Sequence, residues 1–270
     1  MSDRQPPSTA VTAIPLLEKT LADRQRVLGP DHPDTLGARS NPAFAYQSTG
    51  QADRAIPLME ATLVDRRRIL GPDHADTLRS RINLALFTGQ SGAYLEAIDQ
   101  YRALLSDLTR ILGPDHPDTL SASSSLAWFT GQSGALLEAI DQYRALLPDL
   151  TRILGSDHPD TLRAHSILAG FTGRSGAYLE AIDQYRALLP DLTRVLGLDH
   201  PTVLDARMSH ATLCGQAGNF REAADLYRAL LPDLTRVLGR DHPIVKILGT
   251  SIALIVTLAE QPPVPPIGRV

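Results

Sequence analysis

Apolar residues recur every three or four positions along most of the chain. The stretch YLEAIDQYRALL keeps this spacing through Leu95, Ile98, Tyr101, Leu104 and Leu105. Side chains spaced in this way share one face of an α-helix, so the stretch predicts a long helix whose apolar stripe faces a core. The segment DTLSASSSLAWFTG predicts a second, shorter helix with the apolar residues Leu120, Leu126, Ala127 and Phe129.

The same pattern returns every 42 residues, and a loop motif marks its register. The motif LGPDHPDTL starts at Leu28, and related sequences start at Leu70, Leu112, Leu154, Leu196 and Leu238. The units 87–128 and 129–170 differ at 7 of their 42 positions. A period in this range is typical of stacked supersecondary units. Each unit is therefore predicted to be a helical hairpin of short helix A, a turn around GQSG, long helix B and the Asp-His loop.

These residues resemble the tetratricopeptide repeats of the kinesin light chain type, whose units are 42 residues long. The matching pattern is Leu-Ala on helix A, then Gly, an aromatic residue, Glu-Ala and Tyr on helix B. One copy reads Leu84, Ala85, Gly92, Tyr94, Glu96, Ala97 and Tyr101. Further copies follow from Leu126, from Leu168 and, in part, from Ala211. The resemblance implies an all-α, right-handed superhelical solenoid of antiparallel helix hairpins.

The register predicts one solenoid over residues 10–260, between a disordered N-terminus (1–9) and a Pro-rich disordered tail (261–270). Its expected parts are a half-hairpin at 10–30, repeats at 31–72, 73–114, 115–156, 157–198 and 199–240, and a half-hairpin at 241–260. Proline in a helix interior removes a hydrogen bond and crowds the preceding turn. Pro42 therefore predicts a bent or late-starting helix A in the first repeat. A kink or break in helix B is predicted at Pro148, Pro190 and Pro232.

Composition narrows the classes of partner and compartment. The chain is 43% apolar and 21% charged, as in soluble globular proteins, and its net charge of −4 gives no general attraction for nucleic acid or an anionic membrane. Cys214 is the only cysteine, which excludes an intramolecular disulfide. The N-terminus has no apolar signal region, and no apolar run reaches the roughly 20 residues of a membrane helix. We expect a cytoplasmic protein.

The repeated Asp-His pairs could form a metal or acid/base array, or they could build a loop. Equivalent histidines in neighbouring hairpins lie on the order of 8 to 10 Å apart, which is too far to share one ion. Glycine suits the end of helix B, and an Asp or His side chain can accept from the free N–H groups at the next helix start. We therefore predict capping. His165, His210 and Cys214 are read as ordinary packing or surface residues.

No motif for nucleophilic catalysis or nucleotide binding is present, so we predict no enzyme, no cofactor and no metal. The resemblance implies a scaffold that holds an extended peptide or a partner helix in the concave groove lined by helix A. The predicted groove residues are Asn41, Phe44, Arg79, Asn83, Trp128, Arg163, Arg174 and Met208. Trp128 would be an aromatic anchor beside the space at Gly170, with Arg163 and Arg174 available for a carboxylate. Asn41 and Asn83 suit a peptide backbone because an amide both donates and accepts.

Three other functions stay open at this point. Similar repeats accompany nucleotide-hydrolysing signalling proteins, so the chain could be their regulatory module. It could also be a self-assembling structural repeat protein, or, as a weaker reading, an enzyme that uses the Asp-His loops. The final helix has too many apolar residues for one buried stripe, which predicts either a homodimer through Leu254 and Leu258 or a piece of a longer repeat protein.

Overall fold

Helices of two alternating lengths follow one another along the chain. The computed structural model describes residues 9–259, and within this range it contains twelve helices and no strand. They are α1 Thr9–Leu28, α2 Pro33–Ser48, α3 Ala52–Leu70, α4 Ala75–Gln90, α5 Tyr94–Leu112, α6 Pro117–Gln132, α7 Leu136–Leu154, α8 Pro159–Arg174, α9 Tyr178–Leu196, α10 Pro201–Gln216, α11 Phe220–Leu238 and α12 Pro243–Ala259. The even-numbered helices α2 to α10 are the predicted helices A, with 16 residues each. The odd-numbered helices α3 to α11 are the predicted helices B, with 19 residues each.

The chain divides into two compact units, residues 1–134 and 135–270. Within each unit, every helix packs against the next one along the chain. This arrangement confirms the predicted all-α repeat solenoid of helix hairpins. The single solenoid over 10–260 and its repeat boundaries stay predictions. The predicted disordered ends lie outside the described residues, apart from Thr9, which begins α1.

Each core is built from the B-helix stripe and the A helices that flank it. In the first unit Tyr101, Leu104 and Leu108 are buried together with Phe129. Leu95 does not belong to this stripe, because its side chain is 72% exposed. At about 100° per residue, six positions place Leu95 about 120° around the helix from Tyr101. The predicted stripe is therefore correct from Ile98 onward and wrong at Leu95.

The prolines do not interrupt the helices that contain them. Helix α2 begins at Pro33 and keeps the 16 residues of the other A helices, so the late start predicted from Pro42 is wrong. Helices α7, α9 and α11 also run unbroken through their internal prolines. Pro148 and its two copies are exposed. The carbonyl that each of them leaves without a helical partner can therefore be hydrated, which allows the helix to continue.

Every B helix ends at a glycine that no other residue type replaces easily. Gly71 has φ 91° and ψ 163°, and its N–H donates to the carbonyl oxygen of Arg67. The copies of Gly71 have φ between 85° and 97°. This region of positive φ and extended ψ is almost restricted to glycine. The predicted glycine stop is confirmed, although ψ is extended and differs from the left-handed helical value.

Candidate functional site

The Asp-His loops have a structural role. The Nδ1 atom of His116 accepts a hydrogen bond from the backbone N–H of Asp118 at 3.1 Å. The same bond, at 3.1 to 3.3 Å, is made by His32, His74, His158, His200 and His242. The predicted capping by the histidine is thereby confirmed.

The aspartate of the motif makes a different contact. Asp73 accepts from Arg110 at 3.0 Å, and Asp157 accepts from Arg194 at 2.8 Å. In each pair the arginine lies near the end of the next helix B, 37 residues farther along the chain. The Asp-His pair therefore ends one repeat, begins the next and connects the two through an ion pair.

One helix A position varies from copy to copy and lies beside a tyrosine of helix B in the fourth and fifth copies. Phe44, Leu86, Trp128, Gly170 and Thr212 occupy it. In the fifth copy the Thr212 hydroxyl lies 2.7 Å from the hydroxyl of Tyr227. The repeat therefore offers a differently sized side chain at the same place in each hairpin.

In the first unit this position borders an open cavity. The cavity has a volume of about 700 Å³ and is lined by Phe44, Gln47, Ser48, Gly50, Ala52, Leu86, Phe87, Gln90 and Ser91. The Phe44 ring is 42% exposed and meets the edge of Phe87 with a centroid distance of 5.1 Å. The Gln47 amide donates to Oε1 of Gln90 at 3.0 Å, whereas Gln47 Oε1 is buried without a hydrogen-bond partner.

The other predicted groove residues of this unit have different environments. Asn41 is exposed and Asn83 is half-buried, one helical turn before Phe44 and Leu86 respectively. Arg79 already contacts Asp76 on the same helix. The Trp128 side chain is 38% exposed on α6.

In the second unit the residues of the predicted carboxylate site have contacts of their own. A Cβ atom at Gly170 would have one neighbour within 4 Å, the hydroxyl of Tyr185 at 3.3 Å. Arg163 donates to Asp160 at 3.0 Å, and the Arg174 guanidinium lies 5.3 Å from the centroid of the Phe171 ring. Tyr185, a side chain of the same hairpin, therefore borders the space expected at Gly170.

Met208 borders an apolar groove near the C-terminal end of the described chain. The groove has a volume of about 530 Å³ and lies between α10, α11 and α12, with Leu204, Tyr227, Val237 and Ile247 among its lining residues. On α12 the Leu254 side chain is 63% exposed. The side chain of Leu258 lies outside the described residues.

The second unit also contains a cluster that the sequence reasoning treated as ordinary packing. His210 and Cys214 on α10 and Glu222 on α11 each bring a ligand atom within 4.8 Å of the other two. His210 and Cys214 are buried, and neither ring nitrogen of His210 has a hydrogen-bond partner. Both residues of α10 depart from the repeat pattern, because the preceding copy has Leu168 and Thr172 at these positions. These two departures are the sequence signal for the cluster.

The surroundings of the cluster shift the pKa values of its histidine and its cysteine. Burial lowers the pKa of the His210 imidazole, and the Glu222 carboxylate and Arg186 guanidinium have smaller, opposing effects. Burial also raises the pKa of the Cys214 thiol to about 11. Arg186 donates to Oε1 of Glu222 at 3.0 Å. The cluster thus combines a neutral imidazole, a thiol and a paired carboxylate in a largely buried place.

None of the helices in the described range combines the length and the apolar character needed to cross a bilayer.

Comparison with known proteins places the repeats in one family. A family model for the tetratricopeptide repeat matches residues 34–106, and another of the same description matches residues 12–34 and 207–244. No curated protein matches the chain.

Solved structures have the same fold at low sequence identity. A crystal structure of the nearly identical repeats of a putative kinesin light chain from Podosopora anserina has a TM-score of 0.64 at 23% identity, covering 76% of this chain and 97% of that one. BtubC (BKLC) from P. vanneervenii has a TM-score of 0.66 at 14% identity, covering 97% of each chain. A Rap protein complexed with Competence and Sporulation Factor has a TM-score of 0.62 at 12% identity, covering 94% of this chain and 72% of that one. Taken with the 42-residue period and the helix hairpins, the family-model matches make the chain a tetratricopeptide-repeat protein, and its fold is similar to that of the kinesin light chain-like repeats.

Proposed function

We propose that this protein is a non-enzymatic scaffold that holds an extended peptide of a protein partner against helices α2 and α4. The tetratricopeptide-repeat fold itself implies a protein–protein interaction scaffold, and the family is generally without enzymatic activity. The complex of the structurally similar Rap protein with Competence and Sporulation Factor supports ligand binding as a use of this fold.

The observation that carries the proposal is the cavity beside Phe44. Its floor is aromatic, because Phe44 and Phe87 meet edge to face there, and about 700 Å³ is enough for one or two large side chains. An apolar side chain of the peptide enters this cavity and covers the exposed part of the Phe44 ring. Buried aromatic contacts of this kind supply much of the binding energy of protein interfaces.

The side-chain amides of α2 and α4 fit the backbone of such a peptide. Gln47 donates to Gln90 but its own oxygen has no partner, and a peptide N–H entering the cavity would give it one after a rotation of the amide. Asn41 and Asn83 make no side-chain hydrogen bond to other described residues, so both amides are available. These side chains fix the register of the peptide, while Phe44 anchors it.

The remaining predicted groove residues are part of the same proposal, but they support it less strongly than Phe44 does. Trp128 is the next aromatic residue at the Phe44 position and offers a second anchor. Arg79 donates to Asp76, and Arg163 donates to Asp160. Each arginine binds a carboxylate of the ligand only if it first breaks this contact. Arg174 and Met208 lie in the second unit, where they stay predicted contacts of a partner.

Selection of peptides from a random displayed library against the full chain, followed by fluorescence anisotropy with the variants, tests this assignment. Phe44→Ala is expected to weaken binding of the selected peptides at least about fivefold, because truncation of a central aromatic contact costs more than about 1 kcal/mol. Gln47→Ala should weaken them less, since it removes one amide.

Leu95→Ala is the matched control, because Leu95 is an apolar residue of the same unit that is more exposed than Phe44 and lies outside the cavity. It should bind the peptides as the wild type does. Selected peptides that bind Phe44→Ala with wild-type affinity would show that this cavity is not the binding site.

A further inference from the structure

We propose that His210, Cys214 and Glu222 form a binding site for a divalent transition metal ion of the Zn²⁺ class. The three residues supply one nitrogen, one sulfur and one oxygen ligand, which is a donor set that such ions accept. The site lies within the second unit and is independent of the peptide-binding cavity of the first unit.

The local geometry follows from the hairpin. His210 and Cys214 are four residues apart on α10, so their side chains leave the helix on the same face, one turn apart. Glu222 lies in the first turn of α11 and faces them across the hairpin turn. The three ligand atoms lie within 4.8 Å of one another. Bond lengths of about 2.0 to 2.3 Å in a tetrahedral shell place two ligand atoms roughly 3.3 to 3.8 Å apart, so side-chain rotations that bring the atoms closer by about 1 Å complete the site.

The state of His210 is the second observation that points to a ligand. The residue is 4% exposed, and neither Nδ1 nor Nε2 has a hydrogen-bond partner. Leaving a buried polar group unpaired costs about 1 to 3 kcal/mol, so such groups are rarely left without a partner. A metal ion bound to one ring nitrogen supplies that partner.

The other copies of the repeat lack both ligands of α10. At the His210 and Cys214 positions the second, third and fourth copies have Leu84 with Thr88, Leu126 with Thr130, and Leu168 with Thr172. In those copies the threonine hydroxyl donates to the backbone four residues earlier, for example from Thr172 to the Leu168 carbonyl oxygen at 2.9 Å. The glutamate is present from the second copy onward, as Glu96, Glu138, Glu180 and Glu222. Only the fifth copy therefore places a nitrogen and a sulfur ligand beside it.

The residues around the cluster also give an ion access to it and determine the charge of its ligands. His210 borders a cavity of about 580 Å³ that is also lined by Arg186, Leu189 and Leu226, so an ion and a water molecule have a route to the site. Arg186 contacts Glu222 through one carboxylate oxygen, which leaves the other for the ion. Cys214 binds as the thiolate and releases its proton to solvent. Water completes a four-coordinate shell.

Titration of the full chain, free of any affinity tag, with Co²⁺ tests the proposal by absorption spectroscopy. The wild type is expected to bind one Co²⁺ with a thiolate-to-cobalt charge-transfer band in the near ultraviolet, and Zn²⁺ should displace it. The loop histidines cannot produce this band, because it requires the sulfur of Cys214, the only cysteine.

The repeat itself provides variants that keep the fold. His210→Leu with Cys214→Thr restores the residues of the preceding copy, Leu168 and Thr172, so the helix content in circular dichroism should be unchanged. Cobalt binding with the thiolate band should be lost. His210→Leu alone should weaken binding at least about 100-fold, since even partners of metal ligands cost 10- to 100-fold when removed.

His165→Gln is the matched control, because His165 is an exposed histidine of the same unit outside the cluster. It should leave the cobalt spectrum and affinity unchanged. Absence of a thiolate band in the wild type would overturn the proposal, and so would a band that persists with unchanged affinity in His210→Leu.

Discussion

The two residues of the Asp-His pair have different structural roles. His116 accepts from a free N–H group at the start of α6, and the aspartates of the motif form ion pairs with arginines of the next helix B. The pair is repeated because each hairpin has the same helix ends to satisfy. Its repetition therefore carries no sign of catalysis.

Removing one cap tests this account at the scale of a single residue. His116→Ala is expected to lower the free energy of unfolding by about 1 kcal/mol, the usual cost of losing a side-chain N-cap. Urea unfolding followed by circular dichroism measures the change. His116→Asn keeps a good capping oxygen and should retain most of the stability. An equal loss in both variants would mean that the hydrogen bond to Asp118 is not what stabilises the loop.

At the scale of the elements, one helix contact differs from its copies in the later repeats, which have leucine at the position of Arg66. Arg66 on α3 is buried and donates to the backbone oxygen of Leu36 at 3.2 Å and to Ser80 Oγ at 2.6 Å. Burial lowers the pKa of its guanidinium, and its Nε atom has no partner. The next copy has Leu108 with Ala122 at the positions of Arg66 and Ser80. A charged, polar pair thus replaces an apolar one in an equivalent contact.

The copies make this contact testable. Arg66→Leu with Ser80→Ala installs the apolar pair of the next repeat and is expected to raise the free energy of unfolding by about 1 to 3 kcal/mol, because a buried charge is desolvated at high cost. Arg66→Ala alone should destabilise the chain, since it leaves a cavity and unpaired acceptors. Urea unfolding of the three proteins decides between them. A double variant less stable than the wild type would show that the Arg66 network has a net stabilising role.

At the scale of the whole molecule, the apolar surface of α12 calls for a partner. The sequence predicts that a second copy covers it or that the chain is a piece of a longer repeat protein, and Leu254 is 63% exposed. Self-association through this helix stays a prediction.

Sedimentation velocity of the wild type and of Leu254→Glu tests the predicted dimer. The wild type should sediment as a dimer and the variant as a monomer, because a carboxylate cannot be buried unpaired at an apolar contact. Leu95→Glu, a change at an equally exposed leucine of α5, should leave the dimer intact. A wild type that is monomeric would rule out this contact.

The sequence by itself determined the repeat, the helices and the loops. A period of 42 residues, the apolar spacing and the glycine at each helix end are local signals, and local hydrogen bonds and backbone sterics translate them directly into structure. The histidine caps were predictable for the same reason, since donor and acceptor are two residues apart.

Tertiary structure decided what each varied position does. The sequence predicts a space at Gly170, and the fold places the Tyr185 hydroxyl at its border. Gln47 and Gln90 line one cavity because α2 and α4 lie side by side. The approach of Glu222 to His210 and Cys214 likewise depends on how α11 packs on α10. Such contacts join residues on different helices. Their distances depend on how the helices pack, and this packing cannot be read from the order of residues along the chain.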